Sequence, residues 1–302
     1  MSASVLFDAQ GPRARTVSLV GNIVAAVAVV AGIGWVISVL AAKGQLEASL
    51  WQNAVSAEAW QSYYLPGLQN TLRSALFATV GAVAFGIVFG IGRLSRNRPI
   101  RWLSGVVVEF FRAVPVLLMM IFFYMYFSAQ AQWIVDRPFT AVVVALVLYN
   151  GSVIAELVRA GVGNLPKGQG EAGLAIGLTP GQTLRSVQLP QALVAMLPAM
   201  VSQLVVVLKD SALGQFILYS ELLRSAQILS SREQNPLQTL VVVAIVFIVI
   251  NWLLTLVAHR LARLLSSRTA GATIEGTGIG NPTAVGGFVG GGPGPGAGAG
   301  GT

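Results

Sequence analysis

Six stretches of this chain are apolar for long enough to cross a lipid bilayer, and nothing else in it constrains the fold as much. A spanning helix needs about 20 mostly apolar residues. Candidates lie at 17–42, 68–92, 106–129, 139–162, 192–208 and 237–261, among Gly, Pro and charged punctuation. Composition agrees: 55% of the 302 residues are hydrophobic and 10% charged, against about 25% charged in a soluble domain. The expected class is an all-α integral membrane protein with about six transmembrane helices.

The net charge of +8 would suggest nucleic acid in a soluble protein, but here the basic residues follow the spans. With the N-terminus inside, 12 of the 19 Lys and Arg fall in inner stretches, among them Arg93, Arg96, Arg98, Arg101, Arg159, Lys167 and Arg185. Four fall outside: Lys43, Arg137, Arg224 and Arg232. That asymmetry is the positive-inside pattern, and it places both termini in the cytoplasm of a plasma (inner) membrane protein. Topology then explains the charge, and no nucleic-acid partner is expected. With no cysteine and one histidine, His259, no disulfide and no cysteine or histidine-cluster metal site is expected.

The expected organisation is a cytoplasmic tail at 1–16, a retained first helix at 17–42 and an outer segment at 43–66. A membrane core follows at 67–265, and then a Gly-rich cytoplasmic tail at 266–302. Trp51, Trp60, Tyr63 and Tyr64 in the outer segment read as an interfacial aromatic belt. The tail is too rich in Gly and Pro to bury a core, so it is expected to be disordered.

The inner loop at 164–190 is more organised than a connector requires. Pro166 suits the first turn of a short helix over 167–176, with Gly177 as its stop. Thr179, Pro180 and Gln182 then match a capping box that opens a second short helix to about Gln188. Pro190 opens the next span. Gly168, Gly170, Ala172, Gly173 and Ala175 give the first helix a small-residue face that another surface can approach closely.

Glu171, Ala172 and Gly173, then Gly177, then Val187, Leu189 and Pro190, follow the spacing of the EAA motif of ABC importer membrane subunits. That motif reads Glu-Ala-Ala, three residues, Gly, nine residues, Ile, one residue, Leu-Pro. Gly173 and Val187 depart from it, each by a residue of similar character. Further matches are LPGLQNTL at 65–72, EFFRAVPVLL at 109–118, YNGSVIAELVRAG at 149–161 and KDSAL at 209–213. Together they resemble the polar amino acid permeases over roughly 65–225, and most of all the glutamate-uptake permeases of actinobacteria. The resemblance implies a five-helix importer core plus one extra N-terminal helix. In the family the EAA segment is the coupling helix that inserts into a groove on the ATPase, a role that falls here on Glu171, Ala172, Gly173, Gly177, Leu189 and Pro190. It further implies a pair of ABC ATPase subunits, an extracellular substrate-binding protein and a second permease, as a heterodimer in preference to a homodimer. The chain has no GxxxxGK[ST] loop, so ATP and Mg are expected on the ATPase, and this subunit is expected to hold no cofactor and catalyse nothing itself.

Ionisable residues inside spans are functional-site candidates. Glu109 and Arg112, and likewise Glu156 and Arg159, are three apart and share a helix face. Lys209 and Asp210 are adjacent and need partners on other helices. An acidic amino acid would need cations or N–H donors along its route, which makes Arg112, Glu156, Lys209, Asp210 and Ser211 the candidate substrate path. Internal ion pairing is the competing account of Glu109 and Arg112. Gly86 and Gly90 form a GxxxG face, and Asn150-Gly151-Ser152 reads either as a loosened helix or as close packing. Two other functions compete with the importer: a secondary transporter or channel, and an intramembrane serine protease pairing Ser152 with His259.

Overall fold

The computed structural model describes residues 11–131 and 133–270, so the N-terminal ten residues and the expected tail beyond 270 lie outside it. The regular structure of the described residues is entirely helical, with no strand among them. In order they form α1 (Pro12–Ala42), α2 (Ala48–Ala54), α3 (Ala57–Ala59), α4 (Leu65–Arg93), α5 (Arg98–Ala113), α6 (Val116–Gln130), α7 (Arg137–Gly163), α8 (Lys167–Ala175), α9 (Pro180–Thr183), α10 (Leu189–Asp210), α11 (Leu222–Glu233) and α12 (Pro236–Ala270). Runs long and apolar enough to span are Arg13–Ala42, Ala48–Arg93, Arg137–Gly163, Pro180–Ile217 and Pro236–Val257, with the α5–α6 pair as a sixth if counted together.

That pair corrects the third expected span. It is two helices bent by 98° rather than one rod. Proline disfavours a helical residue before it, and Val114 accordingly sits at φ −83°, ψ 126° ahead of Pro115.

Proline acts differently at two other places. Trp60–Tyr64 and Leu184–Gln188 are π turns, and each is followed by Leu-Pro. A proline ring inside an α-helix clashes with the carbonyl four residues back. The wider turn relieves that clash at Pro66 and Pro190, with the N–H of Leu65 donating to Trp60 O and that of Leu189 to Leu184 O. The expected second short helix therefore runs through the π turn into α10, and Pro190 begins nothing new.

α7 is the central helix. It buries residues from Ala141 to Val162, and α4, α5, α6 and α10 all pack on it. Its seam with α4 is built on glycine: a Cβ on Gly86 would lie 2.4 Å from Ile154 Cγ2, and one on Gly90 2.7 Å from Val158 Cβ. On the other face of the seam, Phe85 fills the space that Gly151 leaves. Asn150-Gly151-Ser152 is continuous helix, with the Ser152 hydroxyl donating to Leu148 O at 2.7 Å, so close packing is the reading that holds. α1, in contrast, has no residue buried among the described residues.

The outer segment differs from the aromatic belt expected of it. Tyr64 is wholly buried against Ala54, Leu222 and Ala226, and its hydroxyl donates to Ala54 O at 3.0 Å. Trp51, Trp60 and Tyr63 are half-buried. The last helix runs to Ala270, past residue 266, where the tail was expected to start.

Glu221 caps α11 from a fully buried position, accepting from the N–H groups of Leu223 (2.8 Å) and Arg224 (2.6 Å). Burial outweighs those two donors and pushes its carboxyl from 4.5 up to about 7. An acid whose folded pKa is raised contributes stability that is full below the unfolded pKa and is lost as pH rises through the folded one. Thermal stability in detergent is therefore expected to fall between pH 4.5 and about 7. Glu221→Gln, which keeps one cap acceptor and cannot ionise, should flatten that slope. A wild-type slope unchanged in the variant would place the titration elsewhere.

Candidate functional site

α8 ends in a Schellman motif: Gly177, at φ 85°, donates to Leu174 O at 3.0 Å, and Leu178 donates to Gly173 O at 3.1 Å. Thr179 caps α9 at the next residue, and Gln182 closes the reciprocal capping box. One residue thus separates stop from start, which folds α9 back against α8.

The turn is sealed where Gly173, the one buried residue of α8, meets Thr183. A Cβ on Gly173 would lie 2.6 Å from Thr183 Cγ2 and 2.9 Å from Oγ1. The EAA pattern has alanine at this position, so the departure to glycine is matched by the threonine behind it. Gly173→Ala alone is expected to destabilise the loop by about 1–3 kcal/mol through overpacking. Thr183 Oγ1 is buried without a partner, so Thr183→Ala removes the obstruction and orphans no other group. A double-mutant cycle on protease resistance of the loop should show Gly173→Ala/Thr183→Ala more resistant than Gly173→Ala; additive losses would rule out the contact.

The rest of α8 is a free surface. Glu171, Ala172, Leu174, Ala175 and Ile176 are all exposed, and Gln191 Nε2 on α10 donates to Gln169 Oε1 at 3.0 Å, tying the helix to the span behind it. Leu189 and Pro190 stand apart from this head. They lie in the first turn of α10, with Leu189 packed near Val162 and Met196. A cavity of about 780 Å³ lies between the loop and the α4–α5 turn, lined by Leu94, Arg96, Asn97, Leu174, Thr179 and Arg185.

A second cluster sits where α4, α5 and α7 meet. Arg93 Nη1 is 3.0 Å from both Glu109 Oε1 and Glu156 Oε2. Arg112 reaches Glu109 at 3.5 Å and Glu156 at 3.9 Å, and Arg159 pairs with Glu156. The two expected i, i+3 pairs are therefore one network. Its hub is Glu156, which meets Arg93, Arg112 and Arg159; Arg93, 15% exposed, is the member that sequence spacing could not identify, because its partners lie 16 and 63 residues away. Arg112 also lines a cavity of about 320 Å³ with Glu109, Ala113, Tyr149 and Val153.

Lys209 faces a different cavity of about 580 Å³, with Leu223, Phe247 and Asn251. Neither Lys209 nor Asp210 forms a salt bridge among the described residues. Ser211 is buried, and its hydroxyl donates to Leu208 O at 2.7 Å. The expected path residues thus fall in two separate places. Between α7 and α10 the structure adds a polar pair not named from sequence, the half-buried Gln203 donating through Nε2 to Oδ1 of the buried Asn150 at 2.6 Å. Of the proposed protease dyad, Ser152 is buried with its hydroxyl engaged, and the His259 side chain lies outside the described residues.

Residues 82–271 match the family described as binding-protein-dependent transport system inner membrane component. The glutamate transport system permease protein of Corynebacterium glutamicum is 47% identical over 233 residues, 76% of this chain and 85% of that protein. The L-cystine transport system permease protein of Bacillus subtilis is 31% identical, over 68% of this chain and 87% of its own. Among solved structures, the crystal structure of an amino acid ABC transporter with histidines aligns with TM-score 0.60 and 29% identity, covering 68% of this chain and 93% of that one. The methionine ABC transporter in an inward-facing conformation aligns with TM-score 0.58 at 21% identity, a likeness of fold alone.

Proposed function

The chain belongs to the family of binding-protein-dependent transport inner membrane components, and from that premise we propose that it forms half of the inward path for L-glutamate. It is a multi-pass, non-catalytic permease subunit of an ABC amino acid importer, whose family implies an ATPase and a substrate-binding protein as partners. The observation that carries the substrate is the 47% identity to a glutamate permease across three quarters of the chain. The importer core runs from 67 to 265, with 17–42 as an added helix and both termini cytoplasmic. The second half of the path is a different permease.

ATP and Mg are held by the ATPase, and its motion enters through the α8 head. Glu171, Ala172 and the residues up to Gly177 seat in the ATPase. The single-residue reversal and the Gln169–Gln191 bond transmit displacement to α10, and Leu189–Pro190 is the joint where that movement enters the span. Substrate passes between spans, where Arg112 and Lys209 mark two cationic stations and Glu156 holds Arg112 in place; Asp210 and Ser211 flank the second.

Labelled glutamate uptake in cells with and without the chain tests this, with unlabelled glutamine, aspartate and arginine as competitors. Deletion should remove an ATP-dependent component of glutamate uptake. Loss of another amino acid's uptake instead, with glutamate unaffected, would overturn the substrate and keep the importer.

A further inference from the structure

α5 fits neither a buried helix nor an ordinary span. α6 packs along α7, so the 98° bend at Pro115 turns α5 away from the direction of the bundle. At 16 residues it is roughly 24 Å long, less than a bilayer core. It lies across the ends of other helices: a Cβ on Gly92 would meet Ser104 Oγ, Glu109 pairs with Arg93 of α4, and Arg112 with Glu156 of α7.

Helical spacing divides its surface into three stripes. Ser104 and Val108 are buried against the protein. Trp102, Val106 and Phe110, at i, i+4 and i+8, are 70%, 46% and 60% exposed. Arg98, Arg101, Glu109 and Arg112 share the third stripe by the same spacing. Its two halves differ: Glu109 and Arg112 are absorbed in the ion-pair network, whereas Arg98 and Arg101, like Arg96 in the turn ahead of α5, have no carboxylate within 4 Å among the described residues, and no acidic residue occurs between 93 and 108. An exposed Trp stripe beside unneutralised arginines is the pattern of a helix lying in a membrane interface over anionic lipid.

We propose that α5 lies in the plane of the cytoplasmic interface and binds anionic phospholipid headgroups through Arg96, Arg98 and Arg101, with Trp102, Val106 and Phe110 set among the acyl chains. The assignment of the leaflet rests on the orientation proposed above. Because Glu109 and Arg112 join α5 to α4 and α7, lipid charge under α5 bears on the helices that open and close the path.

The test uses the full chain assembled with its ATPase in liposomes of phosphatidylcholine, doped with brominated phosphatidylglycerol or with brominated phosphatidylcholine. Quenching of Trp102 is read as the difference between wild type and Trp102→Phe. Wild type should be quenched more by the anionic lipid, with a preference that weakens in salt. Each arginine near such a surface is worth roughly fivefold in lipid partition. Arg96→Gln/Arg98→Gln/Arg101→Gln should therefore lose most of the preference, and the triple Lys variant should keep it. Equal quenching by both lipids would overturn the proposal, as would a Trp102 that neither lipid quenches, which would show a protein subunit covering the stripe. The readout needs no transport, so a complex that fails to take up glutamate and still shows the preference would separate the failure of the transport reading from this one.

Discussion

Replacing Glu171 by lysine is expected to uncouple ATP hydrolysis from uptake while the chain still inserts into the membrane. Glu171 is exposed and forms no salt bridge among the described residues, and surface changes of that kind shift stability by no more than about 0.5 kcal/mol. Its surroundings are small: Gly170 and Ala172 beside it, Gly173 sealed against Thr183 behind. A lysine in the middle of that face adds length where close approach is needed and reverses the charge presented to the ATPase. An interaction lost at an interface by about 3 kcal/mol corresponds to more than a hundredfold in affinity or coupling. Uptake and ATP hydrolysis measured on the same reconstituted complex should therefore part company, with uptake down at least about tenfold and hydrolysis no longer stimulated by the loaded binding protein. Glu171→Gln, which removes the charge without the bulk, should fall between. Normal uptake in the lysine variant would take α8 out of the coupling role.

The parts of this site that were legible in the sequence are those whose chemistry is local. Gly177 as a stop and Thr179–Gln182 as a reciprocal cap are decided by residues within one turn of each other, and both are present with the expected bonds. Gly86 and Gly90 were legible for a related reason, since a four-residue spacing sets them on one face of one helix. What failed depended on distance. The part played by Arg93 needed Glu109 and Glu156, from two other helices, to converge on one guanidinium. Tyr64 reads as an interfacial residue until α11 is seen to cover it.

Proline shows both sides of this. The break at Pro115 follows from its effect on Val114, but the angle does not, because it is set by what α5 finds at the ends of α4 and α7. The π turns ahead of Pro66 and Pro190 were not legible at all. Here the helix continues past each Leu-Pro pair, because a turn widened by one residue keeps the backbone bonded where the proline ring would clash in an ordinary turn.

Gly86→Leu should remove the protein from the membrane rather than impair it there. The space beside Gly86 is occupied by Ile154 Cγ2 at 2.4 Å, Ile154 Cβ at 2.6 Å and the Gly151 carbonyl oxygen at 3.0 Å from where a Cβ would stand. Two of those atoms are backbone or fixed to it, so a rotamer change cannot clear them. The helices must separate, and α7 cannot shift alone because α5, α6 and α10 also pack on it. Overpacking of a well-filled site costs about 1–3 kcal/mol for an added methylene or two, and leucine adds four carbons where not one fits. Gly86→Ala is expected to insert with a lowered melting temperature, and Gly86→Leu to be degraded before it accumulates. Gly21→Leu on α1 is the control, since a Cβ there has nothing within 4 Å. Immunoblots of membrane fractions with all three variants decide the matter. Equal accumulation of Gly86→Leu and Gly21→Leu would mean that the α4–α7 seam is looser than these contacts require.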